Sequence, residues 1–386
     1  MGLKDNASLA LIPAAYKTSK IYSAIPTDGD GDFTFTRSGN ATRVNKAGLV
    51  ETMGTNIGRL NYDLTNGTPA SCPSLLLEPS RTNQITKSKD FEGWQDLGGS
   101  ETITNNNATA PDGTNTAATI EKTGSDTTTL RFFTSYSNFS TIRSASIYIK
   151  KLSGSPTVSF GITDTQDSIT PTNEWVRYTK DNVTPTDFGA PIFVDIEVSG
   201  VSGDKIAVWG AQLEEGTYST SIIETSGSEI TRTLDKCLNA GDANLFNDTE
   251  GTLFVDLENF SGNTRELTLG DGTINNRVTV IFYGASAVIR FYVANGGVAQ
   301  ADSVFSISFT YDQRNKIAFR YKQNDFKAYI NGTQVFSDTS GNTPVGLSRF
   351  DFANSNATTN FIEGEIYQTM VFNTALSDSE LQTLTS

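Results

Sequence analysis

Histidine is absent from the 386 residues, cysteine occurs twice, and charge is sparse and lopsided, with 29 Lys+Arg against 43 Asp+Glu and a formal net charge of −14. Without histidine the chain lacks the usual general base near pH 7 and the commonest metal ligand. Ser-His-Asp, Cys-His and His-ligated zinc chemistry are excluded, while carboxylate-only catalysis is still possible. Scarce cations exclude nucleic acid as a partner, because binding a polyanion takes clustered Lys and Arg. The densest basic stretch, Lys17 to Lys20, holds two lysines. Two cysteines, Cys72 and Cys237, are too few for a disulfide scaffold, and their spacing leaves open whether they pair. Long apolar runs are missing as well. Ala7 to Ile12 is stopped by Pro13, short of a signal-peptide core and of the ~20 apolar residues of a membrane span. The expectation is a protein made in the cytoplasm without a signal peptide and with no membrane partner.

What is present is Thr, Ser, Asn, 33 glycines, 23 Phe and 13 Tyr; hydrophobic residues make up 37% and charged ones 19%. Abundant Thr and aromatics with frequent Gly/Asn turns predict an all-β protein, since half-buried pleated surfaces favour β-branched and aromatic side chains. Aromatics at 10% argue against disorder.

Three units are predicted. Residues 1–88 carry the turn-rich run Asp28-Gly29-Asp30-Gly31-Asp32, a short alternating strand at Phe33 to Arg37, and Pro73 to Pro79. Short extended pieces between turns predict an extended N-terminal anchoring and oligomerisation region, an arm that docks on its own later domains or on neighbouring subunits. Residues 89–226 alternate at Ser144–Lys150, Thr157–Ile162, Glu174–Tyr178, Phe193–Val198 and Lys205–Trp209, the pattern of a β-sandwich. Ser219 to Cys237 has little periodicity and reads as a linker. Residues 227–386 form the third unit, with strands at Thr252–Leu257, Arg277–Tyr283, Val288–Val293, Lys316–Tyr321 and Asp325–Ile330, then the hairpin signal Asn331-Gly332. Its one short C-terminal helix opens on Ser377, with Glu380 three residues on, a capping box ahead of Leu381 and Leu384.

Candidate chemistry is thin. The Asp28 to Asp32 run spaces carboxylates like a calcium loop, but Phe33 and Gly39 stand where an EF-hand needs Gly and Glu, so an Asp-Gly turn is expected, no metal ligand is assigned and calcium dependence stays open. Ser202 to Trp209 resembles the Asp-box turn of sialidase propellers, with Ile206 where that turn needs glycine, and is set aside. Carboxylate pairs at alternate strand positions (Asp195/Glu197, Asp256/Glu258, Glu363/Glu365) are expected on solvent faces rather than across a sugar bond. No catalytic or cofactor-binding residue is assigned and no cofactor is expected. Trp175 and Trp209 lie in strand patterns and read as core. Trp94 follows a loop-like segment and is the one candidate glycan-binding residue, with a core or interdomain position as the competing reading.

Three stretches resemble known virion proteins. Asp32–Ser38 (DFTFTRS) through Ala41–Glu51 (ATRVNKAGLVE), followed by Pro73–Asn83 (PSLLLEPSRTN), resembles the N-terminal part of bacteriophage fibre and appendage proteins. Trp209–Gly216 (WGAQLEEG) with Thr231-Arg232 is similar to the end of the carbohydrate-binding-module-like jelly roll of those proteins. Ile366–Phe372 and Ala375–Leu381 (ALSDSEL) are similar to the closing strand and helix of concanavalin-A-like, laminin-G-like sandwiches. The resemblance implies an extended N-terminal region followed by a jelly roll and then a concanavalin-A-like sandwich. It implies a non-enzymatic head- or tail-fibre protein on the virion surface, made in the host cytoplasm. Implied partners are capsid or tail proteins through residues 1–88, further copies of itself as a dimer or trimer, and host-surface glycans. The alternatives are a bacterial cell-surface or secreted carbohydrate-binding protein and a glycan depolymerase.

Overall fold

The computed structural model describes residues 3–386 apart from 66, 188, 190, 260, 261, 285, 305 and 306. It is nearly all β, with a single α-helix, Asp378–Thr385, among the described residues.

The middle sandwich faces two five-stranded sheets against each other. One runs Gln95–Asp96, Thr128–Phe133, Phe193–Ser199, Thr157–Ile162, Thr165–Ile169; the other runs Glu101–Ala108, Ala117–Lys122, Lys205–Glu215, Arg143–Ser153, Val176–Val183. Alternation decides which side chains fill the space between them. Leu130 and Phe132, Ile147 and Ile149, Val194 and Ile196 point inward from their strands and close a single apolar core.

The C-terminal sandwich stacks a sheet of Val298–Asp302, Val288–Asn295, Arg277–Tyr283, Arg265–Gly270 and Arg349–Asp351 on a longer one of Thr333–Asp338, Phe326–Ile330, Arg314–Lys322, Glu250–Asn259 and Gly364–Phe372. Asn331 and Gly332 both take positive φ, 47° and 78°, as the tight turn between two of these strands requires. Ser377 caps the helix: its Oγ accepts from the Glu380 N–H while Glu380 Oε2 accepts from the Ser377 N–H at 2.7 Å. Leu381 and Leu384 then pack on Phe254, Ala318, Tyr329 and Met370 of the long sheet.

Of the two docking places expected for residues 1–88, the chain's own later domains or neighbouring subunits, the structure displays the first. Leu9–Leu11 pairs with Gly364–Phe372 in register Leu9↔Val371, and Ser74–Leu77 pairs with the same strand in register Leu75↔Ile366 before Arg59–Asn61 extends the sheet. Phe33–Thr36 pairs with Lys236–Leu238, placing Phe35 opposite Cys237. The physical reason is edge protection. Gly364–Phe372 would otherwise expose a row of unpaired N–H and C=O groups, and Leu9, Leu11, Phe33, Phe35, Leu75 and Leu77 complete the core beneath it. The stretch Ser219 to Cys237 is no free linker. Ile230–Arg232 pairs with Arg81–Asn83, and Thr220, Ile222, Ile223, Thr225, Arg232 and Asp235 are buried. Cys72 is exposed and Cys237 buried, and both are free thiols.

Candidate functional site

The motif residues converge on one buried joint between the two sandwiches. Strand Arg59–Asn61 delivers Arg59, whose guanidinium donates to Glu78 (2.5 Å), the Thr42 carbonyl (3.0 Å) and Ser221 Oγ (2.8 Å), and also to Asp235. Glu78, at the end of PSLLLE, accepts from Ser221 N–H and Oγ, both at 2.6 Å, and pairs with Arg232 at 2.9 Å. Arg37 of DFTFTRS donates to Asp235 at 3.0 Å. Asn83 of PSRTN donates to the Ala211 and Ile223 carbonyls, and Gln212 of WGAQLEEG accepts from the Ile223 N–H at 2.6 Å. Burial alone would push the Glu78 carboxyl up; Arg232, Arg59 and the Ser221 hydrogen bonds outweigh it and hold it well below the usual carboxylate range. Glu214, also buried, is pushed up, because Arg232 and Thr220 only partly offset its desolvation. Arg59 and Arg232 each keep a buried Nε without a partner, but the remaining ion pairs and hydrogen bonds of the network tie segments far apart in the chain to one another and fix the orientation between units.

Beside the joint opens a cleft of about 510 Å³. Hairpin Ala41–Val44/Val50–Met53 and the short hairpin Leu64–Thr65/Thr68–Pro69 form one side. Tyr148, Trp175 and Arg177 come from the middle sandwich, and Leu76, Glu78 and Glu365 from the long sheet. Trp175 is half-buried, its indole N–H donating to the Thr109 carbonyl at 3.1 Å, which fixes the ring against a small cluster of Val50, Tyr148, Trp209 and Ile222. Arg43 is spent on Glu51, through Nε at 3.1 Å and Nη2 at 2.9 Å. On the far wall Glu365 accepts from Asn61 Nδ2 at 2.8 Å, and the Tyr367 hydroxyl lies 3.0 Å from Asp63 and 3.2 Å from Glu365. Burial, reinforced by Asp63, raises the Glu365 carboxyl well above its ordinary value. An aromatic platform with convergent hydroxyls, amides and a guanidinium has the chemistry to hold a polyhydroxylated ligand by stacking and hydrogen bonds.

Trp94 takes the core position that competed with glycan binding in the sequence reading, while Trp175 departs from the core position read for it. Trp94 is 5% exposed, stacked within 5.2 Å of Phe91 and 5.6 Å of Phe132, with Nε1 donating to the Lys87 carbonyl. It is a core residue, because the loop-like segment before it folds back over the sheet ends. Trp209 is fully buried, as expected, whereas Trp175 lines the cleft. The signal for Trp175 lay just upstream: Pro171-Thr172 is irregular, Asn173-Glu174 is a bend, and the strand begins only at Val176.

The carboxylates expected on solvent faces are mostly buried. Asp195 takes a two-pronged bond from Arg131 (2.7 and 2.6 Å), and Asp256 takes one from Arg314 (2.7 and 2.8 Å). Glu363 is bound by Arg265 and by Tyr218 Oη at 3.0 Å. Arginines on neighbouring strands meet them, which alternation along one strand cannot reveal. Asp28 accepts from the Asp30 N–H and Asp32 from the Ser23 N–H, so the Asp-Gly run is a turn held by its own side chains. Among the described residues no group of three or more acidic or cysteine side chains is placed to hold a metal ion.

Residues 243–382 match a family model described as the concanavalin A-like lectin/glucanases superfamily. The C-terminal sandwich is concanavalin A-like. No curated protein matches the chain in sequence. Among solved structures, the chain is similar to the CBM40 of the Ruminococcus gnavus IT-sialidase bound to α2,3 sialyllactose, at 16% identity and TM-score 0.32, covering 39% of this chain and 94% of that one. Domain 4 of AbnA, a GH43 extracellular arabinanase from Geobacillus stearothermophilus, in complex with arabinotriose, is similar at 15% identity and TM-score 0.34, over 45% and 83% of the two chains. The N-terminal CBM22-1-CBM22-2 tandem of Xyn10C from Paenibacillus barcinonensis spans more, 75% of this chain and 96% of that one, at 10% identity and TM-score 0.25. Likenesses this distant say nothing about what the present chain binds.

Proposed function

We propose that the chain is a non-enzymatic structural protein of a bacteriophage particle, on head or tail, that displays its β-sandwiches for adhesion to host-surface glycans and holds them in the cleft around Trp175. The cleft carries the reading: a half-buried, hydrogen-bond-fixed indole beside Ser219, Ser221 and Asn61 offers the stacking face and polar rim a saccharide uses. The order of the three stretches resembling virion proteins supports the particle assignment. The non-enzymatic reading is supported by the pairing of Asp195, Asp256 and Glu363 with arginines, which favours a structural role for these three carboxylates. Assembly with capsid or tail proteins and self-association belong to the same proposal. They fall to the surface of residues 1–88 that its strands leave exposed. Weak sites suffice, because repeated copies on one particle raise avidity by about 10²–10⁴.

Two measurements test it. Mass spectrometry of purified virions is expected to find the chain; its absence there, with recovery from the cell envelope, would move the assignment to a bacterial surface protein. A glycan array followed by titration is expected to find binding that Trp175→Ala weakens about thirtyfold, the loss of ~2 kcal/mol usual for a central aromatic contact. Binding that survives the substitution would remove the cleft from the proposal.

A further inference from the structure

We infer that the cleft selects a carboxylated, anionic saccharide and that Arg177 reads its carboxylate; this rests on the cleft being the glycan site proposed above. The argument starts from charge compensation. A guanidinium stays ionised in any protein environment, and one drawn out of water calls for an anion. Elsewhere in the cleft that demand is met internally: Arg43 is bound by Glu51, and Glu78 by Arg59 and Arg232. Arg177 has neutral partners only. Its Nη2 donates to Ser146 Oγ at 2.7 Å and to the Thr220 carbonyl at 2.5 Å. Its Nε is buried without a hydrogen-bond partner, as are those of Arg59 and Arg232, but unlike theirs its guanidinium forms no ion pair with a carboxylate among the described residues. Arg177 is therefore held in position by two neutral oxygens and by the Tyr148 ring, whose centroid lies 5.7 Å from its guanidinium carbon, with no carboxylate paired to it in the cleft that it lines.

Position supplies the second half. Trp175 and Arg177 lie two residues apart at the opening of strand Val176–Val183 and both line the cleft. Two residues of extended chain span about 7 Å, the scale of one sugar ring, so a ring stacked on the indole brings an exocyclic carboxylate within reach of the guanidinium. Asp63 and Glu365, on the wall from the concanavalin A-like sandwich, do not compete for that role. They are tied to each other's neighbourhood through Tyr367 and Asn61, and they offer acceptors to ligand hydroxyls. The overall charge of −14 gives no long-range attraction for an anion, so the preference is a short-range one, expressed in dissociation rather than capture.

The test compares acid with uncharged analogue on the intact wild-type chain. Glucuronic acid against glucuronamide, and N-acetylneuraminic acid against its methyl ester, are titrated at pH 7 by calorimetry or saturation-transfer NMR. At least one acid is expected to bind about tenfold more tightly than its uncharged partner, the difference between a charge-assisted and a neutral hydrogen bond. Arg177→Gln is expected to erase that difference and Arg177→Lys to restore part of it. Acid and uncharged forms binding alike, with Trp175→Ala removing both, would overturn the inference while leaving the glycan site standing. Failure of all four probes, together with no Trp175-dependent binding on the glycan array, would remove the site itself and this inference with it. Because Arg177→Gln also loses two structural hydrogen bonds, the wild-type acid-to-amide ratio is the deciding quantity.

Discussion

Removing the carboxylate at the centre of the joint measures how strongly the two sandwiches are coupled. In Glu78→Ala the guanidiniums of Arg59 and Arg232, with side-chain exposures of 0% and 1%, lose their shared anion, and the Ser221 N–H loses its acceptor. Arg59 retains Asp235, while Arg232 is left with carbonyl and hydroxyl oxygens. Breaking a buried pair from one side costs about 3–5 kcal/mol, since the partner charge stays buried. If the 386 residues melt as one unit, their unfolding entropy is about 0.8 kcal/mol/K, and the midpoint falls about 4–6 °C. If the joint is what makes them one unit, the variant instead splits into two calorimetric transitions. Glu78→Gln keeps the shape and loses the charge, so it is expected to fall nearly as far. Protonation acts in the same direction. The folded carboxyl titrates below its unfolded value, so its contribution is complete above the ordinary range near 4.3 and is lost as pH falls through the depressed folded value. Wild type and Glu78→Ala should therefore converge in midpoint as the scan is repeated at pH values below about 4. A single transition within about 2 °C of wild type for Glu78→Ala, or a Glu78→Gln that melts like wild type, would falsify the claim that charge holds the joint.

Glu365 carries the opposite pH signature. Its folded carboxyl titrates above its unfolded value, so the folded state binds the extra proton and stability declines as pH rises beyond about 4.3. Glu365→Gln, which retains the acceptor for Asn61, is expected to flatten that decline and to melt higher than wild type at pH 8; thermal scans from pH 5 to 8 read both effects. Native labelling with iodoacetamide should modify one thiol per chain, Cys72, because Cys237 is buried and its thiol is pushed well up by desolvation and by Asp235; two modified thiols would contradict the burial. Ser377→Ala removes one half of the capping box and should destabilise the concanavalin A-like sandwich by about 1 kcal/mol in denaturant titration.

What the sequence made legible is local. The strand at Arg277–Tyr283, the alternation in Val288–Asn295, the Asn331-Gly332 turn and the Ser377/Glu380 cap depend on neighbours a few residues away, and each appears in the structure as written in the chain. What stayed hidden is decided by partners far along the chain. Leu9 meets Val371 and Arg81 meets Arg232, and nothing near residue 9 or 81 announces either contact. The same distance explains the tryptophans: Trp94 is buried by Phe132, and Trp175 is exposed by a cleft whose other walls come from residues 41–78 and Glu365. The first two motif stretches, within residues 32–83 and 209–232, were visible in the sequence, but their polar residues Arg37, Glu78, Asn83, Gln212 and Arg232 hold the joint rather than a ligand.

The strand Gly364–Phe372 has a consequence for biosynthesis. Its partners Leu9–Leu11 and Ser74–Leu77 leave the ribosome early, yet their hydrogen-bonding edge does not exist until the chain has grown past residue 364. At about 5–20 residues per second, Leu9 waits roughly 20–70 s for Val371. During that interval an apolar segment stays unpaired while the middle sandwich, whose last strand ends at Glu215, is made and completed. A message truncated before this strand would yield one finished module tethered to unsatisfied strands, a form that invites proteolysis. Only chains that have grown past Phe372 reach the closed state, which makes this strand a checkpoint on the residues that precede it.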